Sequence, residues 1–443
     1  MSTPSDASHL LENRFRDLFN ANVGKTLNGH NAAIRDVRRE AIDHFVTLGF
    51  PERRAERWKY TNITQALTHA FALRLENDPA GVTRAMVDSL AIPGLDAFRA
   101  VLVNGHFQPA LSDVAGLPAG VVVSSLDAAG QAHADILNAH FARYASHSDE
   151  PFIALNTAFV IGGLFVHIPR GVALLRPLHI LNLVSADTDV FIQPRLLIVA
   201  GDRASGAIIE TQHSFASART FTNSVAEVAV GREAQLTYHT IQRMRADDTL
   251  LTTFHAYQEA GSTFSATTAT FEGGIVRNNV NVLPDAEGCI SHLYGLVLGR
   301  DSMHVDNHTL VDHAKPNGFS NELYKHILDD QSTGVFNGKV LVRIDAQKTN
   351  AYQSNKSVTL TDRARMFSKP ELEIYADDVK CSHGATTGQL DHEALFYLRS
   401  RGLSERQARV LMLTAFARDV IDTVKIEPLR VYLDTEMERL LHV

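Results

Sequence analysis

Thiol and imidazole come closest together at Lys380-Cys381-Ser382-His383-Gly384. In an extended strand Cys381 and His383 project to one face, about 6.6 Å apart at ~3.3 Å per residue. Thiolate and imidazole are soft to borderline ligands suited to iron, zinc or copper. The plainer reading of the pair is a buried inert cysteine beside a hydrogen-bonded histidine, since free cysteine is among the most buried residue types. Two donors do not complete a metal site. Structural zinc takes four ligands, and iron–sulfur clusters are held by four cysteines or a Cys/His mixture. Cys289 is the only other cysteine. The chain therefore lacks the soft donors for a stable cluster site of its own. It would share one with another subunit or hold its cargo transiently.

Other constellations carry less. His304 and His308 would be a metal pair on a helix, but their surroundings read as strand, which separates them by about 13 Å. Structural hydrogen bonds along a strand stack suit these two and His313 better. Asp377 and Asp378 would point to opposite faces of a strand, so a turn or solvated role fits them better than acid–base work. Gly24-Lys25-Thr26 resembles the end of a phosphate loop, but Phe19 stands where the first glycine of the motif belongs. Zinc-protease, C-x-x-C, dinucleotide-fold and nucleophile-elbow motifs are missing from the sequence.

The elements that must position these residues change along the chain. Leu10, Leu11, Phe15, Leu18 and Phe19 fall near helical spacing. After a break at Asn28-Gly29, the stripe Ile34, Val37, Ala41, Ile42, Phe45 and Leu48 predicts a second helix, with Asn31 as N-cap and Gly49 at the C-terminal cap before Pro51. Trp58 reads as a buried anchor. From about 150 to 390 helical periodicity gives way to short alternating segments such as Val228/Val230, Leu236/Tyr238, Phe264/Ala266 and Leu296/Leu298. Gly231, Gly261, Gly274, Gly288, Gly299, Gly318 and Gly334 punctuate them at near-regular steps. Hairpin dipeptides are scarce, Asn317-Gly318 and Asn337-Gly338 being the main ones. The pattern favours a parallel β-helix over a sandwich. After that, Ser404 and Gln407 have capping-box spacing. Val410, Leu413, Ala417, Val420, Ile421 and Val424 line one helical face, which docks on the chain's own core or on a partner. The boundaries expected are a mainly helical region 1–145, a β-helix core 146–392 and a helical domain 393–443.

Composition narrows the function classes. Of 443 residues, 45% are hydrophobic and 21% charged, as in an ordinary globular protein. Acids outnumber Lys plus Arg by 50 to 42, so no basic surplus points to nucleic acid. No run approaches the ~18 apolar residues of a membrane helix, and Met-Ser-Thr-Pro-Ser-Asp has no export-signal character. A cytoplasmic protein is expected, without nucleic-acid or membrane partners.

Several longer motifs occur in order: Ser320-Asn321-Glu322-Leu323-Tyr324-Lys325, Gly334-Val335-Phe336-Asn337-Gly338-Lys339-Val340, Ala346-Gln347-Lys348-Thr349-Asn350-Ala351-Tyr352-Gln353, the run Leu372 to Thr386, and Phe396-Tyr397-Leu398-Arg399-Ser400-Arg401-Gly402. With Trp58-Lys59-Tyr60-Thr61 and Val103-Asn104-Gly105, they resemble the SufB/SufD family of iron–sulfur cluster assembly proteins. The Lys-Cys-Ser-His-Gly-Ala-Thr form is similar to the SufD branch. The resemblance implies a right-handed parallel β-helix core between N-terminal and C-terminal helical regions. It implies a non-enzymatic scaffold that shares a nascent cluster with a SufB-like subunit, needs no permanent cofactor and docks a SufC-like ATPase. It places His383 at the SufB interface, opposite a SufB cysteine, with Cys381 as a candidate helper. It puts Arg409, Phe416, Ala417, Val420 and Ile421 in the ATPase-binding region. His326 departs from the glycine common in the family after Leu-Tyr-Lys. Without its partners such a chain could also form a homodimer. The rival reading from the residues is a β-helix enzyme acting on polysaccharides, against which the poor acid pairing argues.

Overall fold

The computed structural model describes the chain except residues 1–3, 28–31, 53–54, 64–65, 70, 75, 161 and 442–443. From Leu164 to Gly388 the alternating segments stack as a parallel two-sheet solenoid of about eight turns, with roughly thirty residues per turn. In the second sheet Gln235 pairs with Thr263, Thr263 with Ile290, Ile290 with Phe319, Phe319 with Asn350 and Asn350 with Lys380. The first sheet climbs in the same way from Thr220–Val230 to Arg365–Ile374.

The glycine spacing has a conformational cause. One corner turns through a left-handed residue on successive rungs: Gly171, Arg203, Glu233, Gly261, Gly288, Asn317 and Lys348 all have positive φ. Their amides reach up the stack, as from Glu233 N to Ala260 O at 2.9 Å and from Asn317 N to Gln347 O at 2.9 Å. Glycine takes this conformation without steric cost, and Gly261 and Gly288 use that freedom. Asn317-Gly318 is such a corner, not a hairpin. Asn337-Gly338 is not a turn at all: it lies within the strand Thr333–Val342. A Cβ on Gly338 would meet Gln353 Nε2 at 2.5 Å, so the glycine makes room for that side chain.

Inward positions form one long core that includes Leu178, Ile198, Val228, Leu236, Tyr238, Phe264 and Phe336. A polar ladder crosses the same interior. Gln242 donates to Asn278 at 2.8 Å, Asn278 to Asn307 at 2.9 Å, His326 meets Asn307 at 3.4 Å and Asn355 at 3.1 Å, and Ser368 donates to Asn355 at 3.0 Å. Linking rung to rung in this way satisfies buried groups that would otherwise be costly. His326 is thus an ordinary inward strand residue, and burial pushes its imidazole down to about 3, keeping it neutral.

Helices cover both outer faces. The stripe of Ala32–Leu48 and the helix Pro151–Phe159 pack on Phe191, Phe221 and Leu251 of the first sheet. Gly49 takes the left-handed C-terminal position, with its amide on Phe45 O at 2.9 Å. Asn28-Gly29 and Asn31 lie outside the described residues. The region before the solenoid is mixed: strand Phe98–Val103 extends the second sheet and Val122–Ser124 the first. The C-terminal helices Glu405–Ile421 and Glu427–Leu441 cover the second sheet. Leu413, Ala417, Val420, Ile421 and Val424 meet Ile209, Ile241, Leu296, Leu298 and Ile327. The amphipathic face therefore docks on this chain's own core. Ser404 and Gln407 form the capping box. No helix among the described residues is long and apolar enough to cross a membrane.

Candidate functional site at the open end of the solenoid

The last strands, Arg365–Ile374 and Lys380–Gly388, each pair on one side only. Their outer edges carry unpaired backbone groups, a template for another chain. Register fixes which side chains face inward. Cys381 stands above Ala351 and His383 above Gln353, which is above Glu322. Ala351, Gln353 and Glu322 are buried. With no rung beyond it, His383 is exposed and Cys381 half-buried. Thiol and imidazole thus share the inner face of the terminal rung and look out of the end of the stack.

Cys381 packs beside Val340, Val342, Ala351 and Ala376. Burial pushes its thiol above the ordinary value, against a smaller opposing pull from a backbone hydrogen bond with Ala351. The group is a thiol rather than a thiolate at neutral pH, and a bound metal would have to displace its proton. Beneath the pair, Gln353 Nε2 donates to Glu322 Oε1 at 3.4 Å and Thr309 Oγ1 to Glu322 Oε2 at 2.5 Å. Burial pushes the Glu322 carboxyl up to about 7, against those two hydrogen bonds. Among the described residues, no group of three or more His, Cys, Asp or Glu side chains is placed to hold a metal ion. Cys289 is buried in a corner, its thiol 3.2 Å from Ala286 O.

The other singled-out residues have structural partners. His304 meets Thr61 Oγ1 at 2.8 Å, His308 meets Asp306 Oδ1 at 2.9 Å, and His313 meets Ser320 Oγ at 2.9 Å. Asp377 and Asp378 are exposed in a bend. Trp58 is buried and does more than anchor: the Arg277 guanidinium lies 3.8 Å over its ring, and Arg277 pairs with buried Asp306 at 2.6 Å. Tyr60 then stacks on Phe367 of the terminal rung, 4.4 Å between centroids. The segment Trp58-Lys59-Tyr60-Thr61 thereby ties the N-terminal region to the open end.

On the C-terminal helix Ala417, Val420 and Ile421 are buried within this chain, while Arg409 and Phe416 are partly exposed. A residue that spacing did not single out pins this helix. Lys325 is buried, donates to Phe416 O at 2.6 Å and Asp419 Oδ2 at 2.5 Å, and lies 4.4 Å over the Phe416 ring. The signal for it was the outward face of Phe319–Leu328, where apolar Ile327 requires a cover. Lys325→Met keeps the buried stem and deletes the charged bonds, each worth roughly 1.5–3 kcal/mol. Amide hydrogens of residues 405–424 should exchange at least tenfold faster in the variant; unchanged protection would show that the lysine does not hold the helix.

Two family models match consecutive stretches of the chain. A family model described as "SUF system FeS cluster assembly, SufBD core domain" matches residues 183–416. A second, "SufBD protein N-terminal region", matches residues 10–180. An iron-sulfur cluster assembly SufBD family protein of Synechocystis is 32% identical over 404 residues, covering 89% of this chain and 88% of the relative. Iron-sulfur cluster assembly protein SufD of Escherichia coli is 29% identical over 396 residues, covering 88% and 89%. SufD of Bacillus subtilis is 26% identical over 421 residues, covering 92% and 94%.

Proposed function

Since the chain belongs to the SufBD family of iron–sulfur cluster assembly proteins, we propose that it is a non-enzymatic, cytoplasmic scaffold subunit that completes a cluster site together with a SufB-like partner. The observation that carries this reading is the uncovered terminal rung, which presents His383 and Cys381 from one inner face beside two free strand edges. A partner strand added to that edge satisfies backbone groups and brings its own donors within reach of the imidazole. His383 serves as a neutral ligand to the nascent cluster or as a base toward the partner's thiol. Cys381 assists once deprotonated. The cluster is cargo, built here and passed on. Without the partner, the same edge is open to a second copy of the chain.

A SufC-like ATPase docks on the C-terminal helices in this reading. Ala417, Val420 and Ile421 support the helix from inside, so contact falls to Arg409, Phe416 and the exposed Leu411. Motion of the helices reaches the solenoid through Lys325.

The test is co-expression with SufB-like and SufC-like partners, anaerobic purification, and measurement of iron and sulfide. His383→Ala should leave folding and complex formation intact and lower bound iron and sulfide at least fivefold. Equal cluster content in the variant would overturn the site assignment.

A further inference from the structure

A cavity of about 560 Å³ opens along the opposite corner of the solenoid, and none of its lining residues belongs to the terminal rung. His213, Ser214, Arg243, Arg245 and Arg300 line it. His213 is 7% exposed and its Nε2 has no hydrogen-bond partner; Ser214 Oγ is likewise buried and unpartnered. Register stacks His213 beside Arg243 and Arg243 beside Glu272. A buried polar atom without a partner loses its full desolvation energy unless something fills the space beside it. Both residues line the cavity, where a polar ligand can supply the missing hydrogen bonds.

The charges select the ligand. Arg243 is already matched, with Glu272 at 2.8 Å and Glu436 at 3.4 Å. Arg245 is not: among the described residues its guanidinium pairs only with the exposed Asp247 at 3.7 Å, a pair of little energetic weight. Its other terminal nitrogen donates to Ala218 O at 2.8 Å. Arg300 donates to Leu440 O at 3.0 Å and has no ion pair among the described residues. Glu272 and Asp301 also line the cavity, so the guanidinium groups least held by ion pairs are those of Arg245 and Arg300. Forked guanidinium donors suit a phosphate group. Asp301 is placed to accept from hydroxyls, and half-exposed Phe215 offers a ring face.

We propose that this cavity binds a small hydroxylated phosphate ester, its phosphate held by Arg245 and Arg300 with His213 and Ser214 completing the hydrogen bonds. Burial holds the His213 imidazole down at about 4, so it meets the ligand as a neutral donor. The volume falls within the ~300–1,000 Å³ of small-molecule sites.

Titration calorimetry of the full chain with ribose 5-phosphate, AMP and inorganic phosphate tests this. Ribose 5-phosphate or AMP should bind more tightly than inorganic phosphate. Arg245→Gln and Arg300→Gln should each weaken binding at least tenfold with circular dichroism unchanged. Since Arg300 also holds the last helix, His213→Leu provides an independent check: it removes the unpartnered nitrogen, so melting temperature should hold while affinity falls. Absence of binding at millimolar ligand, or wild-type affinity in both Arg245→Gln and His213→Leu, would overturn the proposal.

Discussion

Arg195→Met is expected to cost about 3–5 kcal/mol of stability, the range for removing one partner of a buried ion pair. Both side chains of the pair Arg195–Glu227 are fully buried, with Nη2 to Oε2 at 2.5 Å. Arg195 also donates to Asn156 Oδ1 and Thr157 Oγ1, both at 3.1 Å. Glu227 accepts from the amides of Ala142, Tyr144 and Ala145 at 2.8, 2.9 and 3.0 Å. The pair thus ties two strands of the first sheet to helix Pro151–Phe159 and to the loop before it. Burial pushes the Glu227 carboxyl up, but Arg195 and the backbone donors outweigh it, so it titrates below the ordinary carboxylate range. Without Arg195 only the backbone donors remain to offset the burial cost.

Two controls follow from that physics. Arg195→Met combined with Glu227→Gln should recover much of the loss, because the uncompensated charge is gone while an acceptor for the amides remains. The deficit of the single variant should also shrink as pH falls and its isolated carboxyl protonates. Urea midpoints at pH 5 and pH 8 check both. A single-variant loss below about 1 kcal/mol would show that the carboxylate finds other compensation.

Pattern and chemistry revealed different parts of this molecule. The solenoid was legible because Val228/Val230 and Leu236/Tyr238 alternate with period two and corner residues recur once per turn. The C-terminal helix was legible from its cap and stripe. The direction of that stripe was not, since Ala417 and Val420 would look the same against a partner. Asn337-Gly338 misled as a turn signal because the clash that demands glycine comes from Gln353, which faces it from the opposite sheet. The Cys381–His383 pair was legible as two donors on one face. That both look out of an uncovered rung needed the register. Lys325 and Arg195 were hidden because a buried cation depends on partners far along the chain.

Glu322→Gln should stabilise the protein at pH 8 by roughly 3–4 kcal/mol and leave it nearly unchanged at pH 4. The carboxyl has a folded value of about 7, against about 4.3 for an unperturbed glutamate. The folded state therefore holds the proton more tightly than the unfolded chain. Wild-type stability is fully present below about pH 4.3, declines as pH rises toward 7, and stays reduced above it, at about 1.36 kcal/mol per unit of separation. Glutamine never ionises and retains an acceptor for Thr309, so its stability lacks that slope. Subtracting the two curves cancels every other titrating group. A flat difference between pH 4 and pH 8, or a wild type more stable at pH 8, would refute the assignment. The position gives the charge its reach. Gln353 stands between Glu322 and His383 in the stack, so the acid ionises two rungs beneath the open end.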